Sequence, residues 1–446
     1  MFRGGWQDEK KADLAHGAHR HGIGHGAGRG GGGGTPAPDS GKEPSKPAEA
    51  QALSQEPVKL LLAQKWSEIN DADFKNLIVE PLQSKYPNIQ VEMLKGDDIK
   101  GMIAAGTVPD LVATWVNLIP DYQDLDLVED MTPLIKKHNL DLGRFESTYL
   151  DTIRGYDKGG LVALPYDSNF NLLYYNKDIF DKFGVPYPKD GMTWEETIEL
   201  AKRVSREEQG VRYRGLETDG YGKLALQLAL PAVKDGKPNV NNELWKRLLE
   251  LQKRIESIPA NEPVPNVHQR NQFMKDRTLA MFATGNNFNL LQSDAAKGLN
   301  WDVAQYPVHP DQPDVAGMVD EHVMFVTKQS KHKDEAFKVI ETLTSDAVQK
   351  KLTRASGKLS VLKDQGIRKE LGADMPALTG KHLEAIFKGR YIPAYTATNK
   401  YPDAGKILNE QVAKYLKDEQ DVNTTLRTAE EAIQNHIRQV DTGTGK

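Results

Sequence analysis

Five aromatic residues stand where strand-like runs give way to loops: Trp66, Trp115, Tyr166, Phe288 and Tyr395. A flat ring at the mouth of a strand can stack on the C–H face of a sugar, which needs apolar area held in a fixed plane. Groups that satisfy hydroxyls lie beside them. Asp167 and Asn169 follow Tyr166, Asn286 and Asn287 precede Phe288, and Glu321 and His322 open an apolar run. A carboxylate accepts from several hydroxyls, and an amide both donates and accepts. Together these residues describe a surface for hydroxylated rings. Each also has an ordinary use, since aromatics fill cores and Asn and Asp favour turns and caps. Trp194, Trp245 and Trp301 lie inside apolar patterns and read as core.

Catalysis finds less support. Asp167 and Glu321 are the pair that could flank a glycosidic bond, but nothing in the spacing sets the separation that hydrolysis requires. The nucleophile-elbow, phosphate-loop and zinc-protease motifs are missing, and Glu321-His322 alone is not a metal motif. The chain has no cysteine, which excludes disulfides, thiolate metal sites and cysteine nucleophiles. No catalytic residue, cofactor or resident metal is expected.

Short apolar runs alternate with helical patterns through the chain. Val58–Ala63, Ile89–Met93 and Leu111–Trp115 read as strands separated by helices, one of them spanning Phe74 to Leu82 with Pro81 kinking or ending it. Leu161–Pro165 and Leu172–Asn176 read as strands around a polar turn. A helix opened by the Thr193/Glu196 capping box is expected to run to Gly210. Strands follow at 279–283, 301–306 and 322–327, and two amphipathic helices close the chain. The alternation implies an open α/β sheet, which binds ligands at the carboxyl ends of its strands. At 446 residues two lobes are the prior, and a net charge of −5 with dispersed Lys and Arg argues against nucleic acid.

The run Tyr175-Asn176-Lys177-Asp178, followed across a Pro-containing spacer by Thr193-Trp194-Glu195-Glu196, resembles the extracellular solute-binding proteins of ABC importers, in their sugar-binding, maltose-binding-protein-like subgroup. Ala280-Met281 before Gly285, the strand ending at Pro307, the strand-to-helix unit at 322–344 and the closing helices resemble the same family. The resemblance implies a type II periplasmic-binding fold: two α/β lobes, a hinge of about three crossings near Pro165, Asp320 and Pro393, and a ligand cleft between the lobes. Lobe 1 would take residues 57–164 and 321–392, and lobe 2 residues 165–320 and 393–446. The partners implied are a carbohydrate, an oligosaccharide by analogy with the subgroup, and the permease subunits of an importer, with the binding protein a monomer. Asn286 and Asn287 fall near a position where sugar-binding relatives often carry Trp, a departure that weakens a second stacking platform. A glycan-acting enzyme, a sensor, or a binder of peptide, polyamine or anion are the alternatives.

Residues 1–56 are rich in Gly, His, Ala, Pro and Lys and lack apolar periodicity. His16, His19, His21 and His25 are metal-ligand types, but nothing packs behind their rings, and the stretch reads as a tether. Shifting Lys10–Gly30 by one base permits a basic start, an apolar middle and a Leu-Ala-Gly ending, and restoring one lost base would add a Cys just before Gly31, the form of a lipoprotein signal peptide. A lipid-anchored extracellular, or periplasmic, protein is then expected. Resequencing this region tests the idea.

Overall fold

The computed structural model describes residues 56–443 apart from 97 and 266. The tail histidines and the shifted segment Lys10–Gly30 lie outside the described residues, as does the greater part of the tether. Two five-stranded sheets form the body. β1 (Val58–Lys65), β2 (Ile89–Met93), β3 (Leu111–Trp115) and β4 (Leu164–Ser168) belong to the first. β5 (Asn171–Asn176), β6 (Arg206–Glu208) and β7 (Val211–Thr218) belong to the second, with a small hairpin, β8 (Val233–Lys234) and β9 (Lys237–Pro238), beyond them. β10 (Leu279–Gly285) and β11 (Trp301–Gln305) complete the second sheet. β12 (Val315–Met318) pairs with β14 (Arg390–Ile392), and β13 (Glu321–Val326) returns to the first. The strand orders are β2-β1-β3-β13-β4 and β11-β5-β10-β7-β6.

In the first sheet β1, β2 and β3 run parallel, and β13 is antiparallel to both neighbours. The ends of β1, β3 and β4 therefore meet the start of β13 along one edge. In the second sheet β10 runs parallel to β7 and antiparallel to β5, so Gly285 pairs with Asn171 at the corresponding edge. Only residues 169 and 170 separate β4 from β5, which brings the two edges together. The chain passes between sheets again from β11 to β13, and after β14. The first crossing follows Ser168 rather than Pro165, because Pro165 is still paired with Val323 inside β4. The expected polar turn at Tyr166–Ser168 is thus strand.

Each sheet has its own apolar core, one drawn from residues such as Leu60, Val112, Phe325 and Phe337, the other from Leu173, Trp194, Leu248, Met281 and Ile433. A third cluster covers the far face of the second sheet and includes Phe170, Phe282, Phe288, Trp301, Leu371 and Ile386. The segment 371–386 therefore packs with the second sheet, although the sequence places it with the first lobe. Helical details follow local chemistry. The Thr193/Glu196 capping box forms, with Thr193 N–H donating to Glu196 at 2.7 Å. That helix ends at Val204, short of Gly210. Gln209 and Gly210, both at positive φ, instead make the tight turn between β6 and β7. Pro81 does not end its helix either. A π-helical turn at Phe74–Val79 precedes the α-turn Glu80–Lys85, placing Pro81 in the first turn of that α-segment, where Pro is tolerated.

Candidate functional site

At the first-sheet edge, β1 ends in a loop with unusual backbone. Trp66 and Glu68 have φ of +55° and +56°, in the left-handed region that L side chains rarely adopt. Ser67 between them is buried, its carbonyl accepting from the Tyr166 hydroxyl at 3.1 Å and its own hydroxyl donating to Gln64 at 2.5 Å. Anchoring Ser67 inward turns its neighbours outward. The indole of Trp66 is 49% exposed and stacks on Trp115, with centroids 6.3 Å apart and planes 26° from parallel. Trp115 is half-buried at the end of β3, and its indole N–H is enclosed without a partner. The pair presents one free aromatic face with a second ring behind it.

Beneath that face lies a compact polar group. His322 and Asp167 sit opposite each other on β13 and β4, with His322 Nδ1 2.6 Å from Asp167 Oδ1, where the carboxylate accepts from Nδ1–H. Tyr166 stacks on His322 at 6.1 Å. Lys358, with 5% of its side chain exposed, donates to Glu68 at 2.6 Å and lies 3.8 Å from Asp167. Burial alone would depress the lysine pKa, but Asp167 and Glu68 outweigh it and raise it. Partial desolvation would raise the Glu68 carboxyl. The charges of Lys358 and His322 and the hydrogen bonds from Lys358 and Asn169 prevail and hold it at about 2. Glu68 is therefore a firmly ionised acceptor at the surface, beside an exposed indole. A cavity of about 20 Å³ next to it, lined by Glu68, Asp73, Asp167 and Lys358, has room for a single water.

Glu321 differs from its neighbours. It is fully buried, and neither carboxylate oxygen has a hydrogen-bond partner. Burial, with Asp320 and Asp167 nearby, pushes its pKa well above the usual carboxylate range. A neutral, enclosed carboxyl offers a ligand nothing, so Glu321 belongs to the interior and not to a binding wall. Tyr166 is likewise buried and acts through Ser67 and His322.

At the second-sheet edge, Asn169 and Asn286 are half-buried, and Asn286 reaches across to the chain after β13, donating to the Gly357 carbonyl at 3.0 Å. Its own Oδ1 accepts from Phe288 N–H at 3.0 Å. Asn287 is buried, its N–H donating to the Tyr174 hydroxyl at 3.0 Å. This cap directs Phe288 inward. Phe288 is 0% exposed and packs between Phe170, Tyr174 and Trp301, so the expected stacking ring is a core residue. Its helix begins straight after the cap, and the ring has only the apolar layer below to enter. Tyr395 is half-buried on the strand-free connection after β14, between Ala394 N–H donating to Thr152 and Ala397 N–H donating to Tyr156.

The fold brings Trp66, Trp115, Asp167 and His322 together at one edge, Asn169 and Asn286 across from them, and leaves Phe288, Tyr166 and Glu321 inside. Sequence reasoning misses Glu68 and Lys358. Glu68 follows Trp66 by two positions and shares its turn, a spacing that could have flagged it. Lys358 arrives from 290 positions away and carries no local signal.

Residues 65–350 match the family model described as bacterial extracellular solute-binding protein. The chain belongs to this family. A binding protein of Brucella abortus (strain 2308) is 26% identical over 298 residues, covering 64% of this chain and 71% of that protein. The sn-glycerol-3-phosphate-binding periplasmic protein of Brucella melitensis is 25% identical over 316 residues, 64% of this chain and 70% of that one. Among solved structures, an ABC substrate-binding protein of Listeria monocytogenes in complex with cycloalternan is similar with a TM-score of 0.69 at 20% identity, over 86% of this chain and all of that one. A maltose-bound protein of T. maritima gives 0.64 at 21% identity, over 84% and 99%. These likenesses give the solute-binding protein its two-lobe periplasmic-binding fold.

Proposed function

We propose that this solute-binding protein captures a carbohydrate, an oligosaccharide by preference, between its two lobes and presents it to the permease of an ABC importer. The observation that carries this is the Trp66–Trp115 pair, half-exposed at the mouth of the first sheet with the ionised Glu68 carboxylate beside it. An aromatic plane takes the C–H face of a pyranose, and a charged acceptor takes the hydroxyls at its rim. Lobe 1 is built on the first sheet and lobe 2 on the second. A sugar touching both favours the closed form by its differential affinity. The cycloalternan-bound and maltose-bound neighbours and the sn-glycerol-3-phosphate-binding relative support the importer role. The protein acts as a monomer outside the membrane, lipid-anchored if its N-terminal segment is read one base over.

Calorimetry against a panel of neutral oligosaccharides, paired with small-angle scattering, tests this reading. One or more sugars should bind at micromolar or lower Kd and reduce the radius of gyration. Sugars that bind with no compaction, or are cleaved during the titration, would contradict it.

A further inference from the structure

The second-sheet edge is built differently from the first and, on the carbohydrate reading proposed for the cleft, narrows the class of ligand. Lys223 lies half-buried in the helix Tyr221–Gln227, its ammonium 3.3 Å from where a Cβ on Gly285 would stand. Gly285 is the last residue of β10, so the ammonium rests on the end of the strand whose edge adjoins Asn171 and Asn286. A side chain at 285 would meet it, and the glycine is what lets the charge approach the backbone. Among the described residues, no carboxylate lies within 4 Å of Lys223. The nearby Asp219 is engaged elsewhere, accepting from the Thr284 hydroxyl and from Gln269. Arg270, beside Gln269, has a buried Nε without a partner and no carboxylate within 4 Å among the described residues.

At the first edge the cations are already paired. The buried Lys358 is held between two carboxylates, and Lys65 lies 3.6 Å from Asp121. An incoming anion finds no free cation in that group. At the second edge the half-buried Lys223 has no carboxylate within 4 Å among the described residues, so an incoming oxyanion can take a charge-assisted hydrogen bond from it.

We propose that the second-sheet edge receives an oxyanion carried on the ligand, a carboxylate or a phosphate ester of a hydroxylated ring or chain, with Lys223 as its counter-ion. The ligand then lies with an apolar ring face on Trp66 and its acidic end toward Gly285.

The test is calorimetry on the full chain with maltose, an aldobiouronic acid of the same ring number, glucose 6-phosphate and sn-glycerol 3-phosphate. At least one acidic probe should bind about tenfold or more tighter than maltose, and the gap should narrow as salt is raised. The carboxylate probe and the two phosphate esters separate a carboxylate from a phosphate preference. Lys223→Met should bring the acidic probe down to the level of maltose, and Lys223→Arg should keep the preference, with thermal melts confirming that both variants fold. Equal or weaker binding of every acidic probe, or a preference that survives Lys223→Met, overturns the proposal. Trp66→Ala separates this from the carbohydrate reading: if it spares all probes, that reading fails whatever Lys223 does.

Discussion

The two strand edges that border the cleft use similar residue types to opposite ends. At the first, Trp66 faces outward with the half-buried Trp115 stacked behind it, and the buried lysine is paired. At the second, the aromatic ring is drawn into the core, the amides are tied to backbone, and Lys223 has no carboxylate within 4 Å among the described residues. The difference arises in the backbone. Trp66 is exposed because flanking left-handed conformations at 66 and 68 pivot on the buried Ser67. Phe288 is enclosed because Asn286 Oδ1 accepts from its N–H where a short helix begins, and the ring enters the apolar layer formed by Phe170, Tyr174 and Trp301. A ring at a strand end is therefore a ligand platform only where the following turn points it outward.

The sharpest way to break this comparison is at Phe288 and Trp66. Phe288→Ala should cost about 3–5 kcal/mol of stability as a core cavity, whereas Trp66→Ala should change the melting temperature little. Similar melting losses for the two would erase the distinction. Next comes Lys358→Met, which leaves Asp167 as a buried charge without its cation. A loss of about 3 kcal/mol is expected from chemical denaturation, at the low end for a broken buried pair because Glu68 can still reach water. A loss below about 1 kcal/mol, the scale of a surface pair, would show that the pair is not structural.

Glu321 supplies a pH test. Its folded pKa is raised, so the stability its burial permits is complete below the unfolded value near 4.5 and declines as pH rises toward the folded pKa. Glu321→Gln should melt close to wild type at about pH 4 and above it at about pH 7, with the gap widening between. A constant gap would contradict a buried neutral carboxyl. Glu68 has the opposite sign. Its depressed pKa contributes above the unfolded value and is lost as pH falls from about 4.5 toward 2. Glu68→Gln, which keeps the shape and removes the charge, should weaken sugar binding about tenfold while leaving the fold intact.

Much of this was legible in the sequence. The capping box at Thr193, the strand positions and the α/β class follow from periodicity and local chemistry, and the resemblance carried by Tyr175–Asp178 and Thr193–Glu196 supplied the family and its two-lobe plan. Trp115 stands at the end of its strand as expected, stacked behind Trp66. The misses share a physical cause. Burial of Glu321 is set by the strands packed around it, and the partner of Glu68 is Lys358, 290 positions along the chain. Gly210 has the chemistry of a helix stop, yet a β-turn uses the same left-handed conformation. None of these contacts leaves a trace in neighbouring residues.

The most direct test is calorimetric titration of the Trp66→Ala/Trp115→Ala variant with whichever sugar the wild-type chain binds. The aromatic platform predicts a loss of about a hundredfold or more in affinity with secondary structure and denaturant midpoint retained. Unchanged affinity in a folded double variant would contradict it.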